Sequence, residues 1–256
     1  MPSRAGRAHL VAYVLHRYDW SESSLILDLF TREQGRLAVA AKGAKRPFSQ
    51  LRSALLPFQR IHVSLGRAAA PEEAREVETL RGAEWAGGAA MLTGAALFNG
   101  FYVNELLMKL LARHDPHPAL FDAYGQTLAG LATCGEAGAQ PVLRAFELVL
   151  LREIGLLPTL GVETATRRPV RPGERYLVLA DSGVVAAPGR AEMAIDGAAL
   201  TALQEALDGG ELAQLQAVAA RGLAELRPIV RGLLHYHLGT DSLRTRQVMR
   251  EAQALA

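Results

Sequence analysis

GRLAVAAKGAKRPFSQLRSALLPFQRIHVSLG, residues Gly35–Gly66, is the stretch whose reading decides the fold of this chain. It opens with an apolar run, Arg36–Ala41, that reads as a strand and breaks at Gly43. A short helical turn follows from Ser49 to Leu55 and is stopped by Pro57, since a proline pushes the residue before it out of the helical region. Arg60–Gly66 then alternates Ile61, Val63 and Leu65 against Arg60, His62 and Ser64, the pattern of a half-buried strand. Upstream, Leu10–Leu15 is rich in Val and Leu. Ser24–Thr31 alternates and ends in Thr-Arg-Glu-Gln-Gly, a polar stretch that closes on Gly35 as a hairpin loop does. Downstream, Glu76–Arg81 reads as a fifth strand. Five short strands with a small helix between the third and fourth are the layout of an OB-fold barrel, here spanning residues 1–82.

After Glu84 the texture changes. Ala89–Arg113 places Leu92, Ala96, Phe101 or Tyr102, Leu106 and Leu110 at helical spacing and stops at Asp115-Pro116. Pro118–Leu131 and Pro141–Gly155 read as further helices. The stretch from about 158 to 190 is rich in Pro, Gly and Arg. It reads as an irregular insertion with a small hairpin, Arg175–Leu179 and Val184–Ala187. Helices resume at Ala198–Leu207, Leu212–Leu238 (interrupted at Pro228) and Ser242–Ala252. The expected class is α+β: an N-terminal five-stranded OB-fold barrel, then a mostly α-helical domain, 83–256, with a small irregular β-hairpin insertion.

Charge is segregated along this chain. Its formal net charge is only +2. Residues 1–67 hold 11 Lys/Arg against 4 Asp/Glu, and the remainder holds 17 against 22. Between Glu33 and Glu72 there is no acidic residue, while Arg36, Lys42, Lys45, Arg46, Arg52, Arg60 and Arg67 fall there. A single-sign field over a small module suits a polyanion such as a nucleic-acid backbone. Lys42-Gly43-Ala44-Lys45-Arg46 ends the third strand, where an OB barrel exposes its binding loops. Among the interleaved aromatics Tyr18, Trp20, Phe30, Phe48 and Phe58, Phe30 reads as core, and Phe48, next to Pro47 in the basic loop, is the best stacking ring. The expected DNA-binding set is Arg17, Arg36, Lys42, Lys45, Arg46, Phe48, Arg52, Arg60 and Arg67.

Catalytic constellations are weak, so no enzyme activity, cofactor or metal is expected. His235 and His237, two apart on a helix, do not face one another. His114, Asp115 and His117 read as a solvated interhelical loop, and no phosphate-binding loop, G-x-S-x-G or H-E-x-x-H occurs. The single cysteine, Cys134, excludes an intramolecular disulfide and a multi-cysteine zinc site. The most apolar run, Gly94–Leu111, is interrupted by Asn99, Asn104, Glu105 and Lys109, which argues against a membrane span. With no signal peptide visible, a cytoplasmic, nucleoid-associated protein is expected.

Several motifs carry a resemblance. His16-Arg17-x-x-x-x-Glu22-x-Ser24, Leu29-Phe30-Thr31-x-Glu33-x-Gly35-Arg36, Lys42-Gly43-Ala44-Lys45-Arg46 and Leu56-Pro57-Phe58 resemble the N-terminal domain of the RecO family of bacterial recombination mediators. Tyr102-x-Asn104-Glu105-Leu106-Leu107 and Leu120-Phe121-x-x-Tyr124 continue it. So do Leu143-Arg144-x-Phe146-Glu147-x-x-Leu150-Leu151-x-x-x-Gly155 and Leu238-Gly239 to Arg246. The likeness covers nearly the whole chain. It departs at Thr159–Val185, which lacks the four cysteines of a zinc-binding form, so the chain resembles the zinc-free branch.

The resemblance implies binding of single- and double-stranded DNA, annealing of complementary strands and, with RecR and in some organisms RecF, loading of RecA onto DNA coated by single-stranded-DNA-binding protein (SSB). It also implies that the helical domain grips the acidic, Phe-terminated SSB C-terminal tail. Arg144 occupies the position of a basic pocket residue, with Leu143, Leu148 and Arg152 nearby by helical spacing. The C-terminal Arg244, Arg246 and Arg250 either extend the DNA surface or close the last helix against its dipole. Two other readings stay open: a protein-interaction scaffold, and an RNA-binding OB protein without annealing activity.

Overall fold

The computed structural model of the chain describes residues 9–66, 77–87, 91–187, 191, 193–240 and 243–254; Arg67, Glu76 and the side chain of Arg250 lie outside that description. The chain divides into two compact units, Met1–Met91 with Leu106–Asp122, and Leu92–Glu105 with Ala123–Ala256.

The first unit is a closed barrel of β1 (His9–Asp19), β2 (Leu25–Thr31), β3 (Gly35–Ala41), β4 (Arg60–Leu65) and β5 (Glu78–Trp85), ordered β1-β2-β3-β5-β4, with the single helical turn α1 (Leu51–Ala54) between β3 and β4. This is the expected OB-type layout. Period-2 patterning fills the interior. Leu25, Leu27 and Leu29 of β2 pair with Ala41, Val39 and Leu37 of β3, and with Ile61, Val63 and Leu80 they form one buried cluster. β1 runs four residues past its expected end. It pairs with β4 over His9–Tyr13 and with β2 over Ala12–Asp19, the second register shifting at a bulge between Val14 and His16. The extension His16-Arg17-Tyr18-Asp19 is polar on both faces, so no alternation betrayed it. β5 likewise runs to Trp85, paired with Ile61 of β4.

The segment Leu106–Asp122 belongs to this unit and covers one outer face of the barrel. Phe121 packs on Tyr13 and Phe30 with ring centroids 5.0 and 5.5 Å apart, so Phe30 is buried as expected, but on the outer side of its strand. The β2–β3 turn nests against the same segment. His114 N donates to Arg36 O at 3.1 Å, and Gly35, with φ +69°, leaves room for a Cβ only where the Asp115 carbonyl already stands. Arg32 forks onto the Asp122 carboxylate at 3.2 and 2.9 Å.

The second unit is built on helices. α2 (Gly94–Leu110) gives it the residues up to Glu105, and α3 (Pro118–Thr133) those from Ala123. α4 (Gly135–Glu153) follows, then β6 (Arg175–Leu179), β7 (Gly183–Ala186), β8 (Ile195–Asp196), α5 (Gly197–Gly209), α6 (Leu212–Arg221), α7 (Leu223–Leu238) and α8 (Arg244–Ala254).

Three helices differ most from expectation, and the first is α2, which runs Gly94–Leu110 rather than Ala89–Arg113. α4 starts six residues before Pro141, whose fixed φ suits a helix and whose missing N–H deletes one bond of the ladder. The expected Leu212–Leu238 helix breaks at Gly222, and Pro228 lies inside α7. The hairpin gains a third strand, giving the order β7-β6-β8; β8 is too short for any period to reveal it. The loop before the hairpin is knit by hydrogen bonds. Val170 N donates to Gly161 O at 3.1 Å, Glu163 N to Arg168 O at 2.9 Å, and Thr164 exchanges bonds with Val184 at 2.8 and 2.9 Å.

Candidate nucleic-acid interface and basic pocket

At one end of the barrel the β1–β2 loop and the basic loop after β3 are stapled together. Lys45 N donates to Ser23 O at 3.0 Å, and Gly43 N to Ser24 Oγ at 3.4 Å. The Lys45 ammonium pairs with Asp19 at 3.1 Å. Gly43, at φ +74°, turns the chain there. Lys42, Arg46, Arg17, Arg52 and Arg60 are exposed, and Phe48 is 96% exposed with Trp20 at 57% beside the stapled loops. A ring presented this fully among cations has a free face for a base to stack on. Tyr18 is also exposed, whereas Phe58 is buried in a left-handed backbone conformation, φ 68°, and cannot stack on a ligand.

Arg36 stands apart from the other expected cations. Its guanidinium is mostly buried 3.8 Å from Asp28 and donates to the Met108 carbonyl, and Arg113 approaches the same carboxylate at 3.6 Å. Burial lowers the Arg36 pKa while Asp28 opposes the shift. This side chain braces the barrel's covered face. Asp28, invisible as a charged partner in the sequence because it sits in an apolar strand, is what holds it.

In the helical unit, a cleft of about 270 Å³ is lined by Asn99, Tyr102, Gln140, Leu143, Arg144, Arg227, Arg231, Thr245, Arg246 and Met249. Leu143 and Arg144 of the expected tail-binding set reach it; Leu148, fully buried, and Arg152, whose guanidinium donates to the Leu207 carbonyl, do not line it. Arg144 reaches the cleft wall but is almost wholly buried. Only 2% of its surface is open, and its Nη2 donates to Glu147 Oε1 at 2.5 Å. Tyr102 OH donates to the same oxygen at 2.5 Å, and Arg246 Nη2 donates to Tyr102 OH at 2.9 Å while its guanidinium lies 4.6 Å over the Tyr102 ring. Full burial raises the Glu147 pKa, against the pull of Arg144 and Tyr102; burial also raises that of Tyr102.

The cations that open onto the cleft are Arg227 and Arg231, four apart on α7 and therefore on one face. Neither has an ion-pair partner among the described residues. Sequence reading missed both, and the available signal was the i,i+4 spacing of two arginines on a helix without matching acids. Arg244 and Arg246 open α8 rather than close it, so the dipole account of that basic stretch fails.

A five-stranded OB barrel with a basic, ring-bearing end, joined to a helical unit with its own basic cleft, defines the class: an OB-fold protein with the surface charge expected for a nucleic-acid backbone. Residues 7–88 match the family model for recombination protein O, N terminal, and residues 91–247 that for recombination protein O, C terminal. The chain is 51% identical to DNA repair protein RecO of Polaromonas sp. (strain JS666 / ATCC BAA-500) over 245 residues, covering 95% of this chain and 96% of that protein. It is 52% identical to the RecO of Polaromonas naphthalenivorans (strain CJ2), with 95% and 96% covered, and 50% identical to that of Variovorax paradoxus (strain S110), with 97% of each covered. The chain belongs to the RecO family of DNA repair proteins. Among the described residues no helix is long and apolar enough to cross a membrane.

Proposed function

We propose that this chain is a non-enzymatic recombination mediator that binds single- and double-stranded DNA through its barrel, anneals complementary strands and, with RecR and in some organisms RecF, helps load RecA onto SSB-coated DNA. The observation that carries the DNA reading is Phe48, a fully presented ring in a loop with Lys42, Lys45 and Arg46. Cations track phosphates without reading sequence, and a ring stacks on any base. Phe48→Ala is expected to cost about 1–3 kcal/mol of single-strand affinity with little change in salt slope. Fluorescence anisotropy with a mixed-sequence oligonucleotide checks this, and an unchanged affinity would remove Phe48 from the interface.

The cleft of the helical unit is the proposed seat of the SSB tail. Arg227, Arg231 and Arg246 supply charge for acidic residues and a terminal carboxylate, while Leu143 and Met249 supply an apolar wall for a terminal phenyl ring. Arg144 acts beneath them. Removing it leaves Glu147 buried and unpaired, a loss of about 3–5 kcal/mol in stability, so Arg144→Ala is a poor probe. R227E/R231E is a better one.

The assay is annealing of complementary oligonucleotides coated with cognate SSB, without ATP. Acceleration that disappears with tail-deleted SSB, or with R227E/R231E, supports the mediator reading. Acceleration on naked DNA alone would leave the barrel as a DNA binder and remove the tail site. No acceleration on either would favour a protein-interaction scaffold.

A further inference from the structure

The Tyr102-x-Asn104-Glu105 motif sends its three polar side chains to three different places. Tyr102 reaches Glu147 and Arg246, and Asn104 accepts from Tyr124 OH at 2.6 Å. Glu105, only 7% exposed, accepts from Arg244 N at 3.0 Å, Thr245 N at 2.9 Å and Thr245 Oγ1 at 2.7 Å. Those two amides are the first of α8, and a helix cannot satisfy its own first donors. A carboxylate there also meets the positive end of the helix dipole. Glu105 thus caps a helix that begins 139 residues further along the chain. α8 has few other attachments: none of its described side chains is buried, and only Leu243, just ahead of it, is. Yet this helix brings Thr245, Arg246 and Met249 to the cleft.

We infer that Glu105 is a positioning residue of the cleft, setting through α8 the fraction of molecules in which Arg246 and Met249 stand in its wall. The role rests on the tail reading of that cleft. With α8 undocked, Arg227 and Arg231 remain, so the tail binds more weakly through a cleft lacking one cation and one apolar wall. The motif on α2 is then the element that completes the binding site.

The test uses the full-length chain and a synthetic acidic peptide with a C-terminal Phe and free carboxylate, titrated by anisotropy. Losing a cap of this kind shifts a docked population by roughly fivefold to thirtyfold. E105A should lose peptide affinity by a factor of up to that size, set by how far the docked fraction falls, and E105Q, which keeps an acceptor oxygen, less. DNA binding through the barrel should be unchanged in both, and helical circular dichroism matching the unsubstituted chain shows that the second unit folds. Hydrogen exchange at Arg244–Met249 should quicken in E105A. The losses from E105A and R246Q should also fall short of additive when combined, because both act through α8. Peptide affinity untouched by E105A, additive losses, or unchanged exchange would each overturn the role of Glu105 alone. No binding by the unsubstituted chain would overturn the tail reading and this role with it.

Discussion

The K42E/K45E/R46E chain should bind single-stranded DNA on the order of a hundredfold more weakly than the unsubstituted chain at 0.1 M salt. In the proposed binding mode three cations in one stapled loop would each neutralise a phosphate, and each would release a condensed counterion. Their loss should lower the slope of log K against log salt by about 2 on single strands and about 3 on duplex. Anisotropy titrations between roughly 50 and 200 mM salt read both quantities. The acidic-peptide affinity of the helical unit should not move. Lys45 also pairs with Asp19, and a glutamate there sets two carboxylates side by side. K42Q/K45Q/R46Q, which removes charge without repulsion, should show the slope change with a smaller affinity loss. An unchanged slope in both variants would place the DNA path elsewhere on the barrel.

Gly35→Ala should lower the stability of the barrel unit by about 3 kcal/mol, among the largest effects available to a single methyl group. Two costs coincide. The left-handed backbone at φ +69° penalises any Cβ, and the new methyl overlaps the Asp115 carbonyl, which is backbone and has no rotamer to change. For a unit of this size the loss corresponds to a fall of at least about 10 °C in its thermal transition, read by circular dichroism. Gly87 is the control. It has φ +74° but nothing within 4 Å of an added Cβ, so Gly87→Ala should show only the conformational part, about 1–2 kcal/mol. Equal effects at the two positions would mean that the Asp115 segment yields.

The barrel was legible because its strands carry their instruction locally: Leu25, Leu27 and Leu29 alternate, and so do Ile61, Val63 and Leu65. What stayed hidden depends on tertiary partners. The Tyr18 end of β1 exists as strand because β2 pairs with it, not because its own residues alternate. Arg36 looked like one more cation of the basic run until Asp28 and the Met108 carbonyl claimed it. At the cleft, Arg144 was found through a motif, but its burial against Glu147 could not be read from helical spacing alone. Arg227 and Arg231 carried no motif and became visible only once α7 placed them on the cleft. Pro228 misled because proline breaks helices in their interior more surely than near their start, and α7 begins only five residues before it.

The closed strand order of the barrel limits how other proteins can attach to it. With β1 bonded to both β2 and β4, and β5 bonded to both β3 and β4, every described strand of the barrel has a neighbour on each side. The β3–β5 seam is the short one, with Val39 opposite Glu78 and Ala40 opposite Thr79, so an incoming peptide finds at most short open rows of amides and carbonyls to extend, which narrows the route by which many adaptor domains recruit extended segments. The same pairing leaves a strongly basic module little strand edge through which to join its own copies.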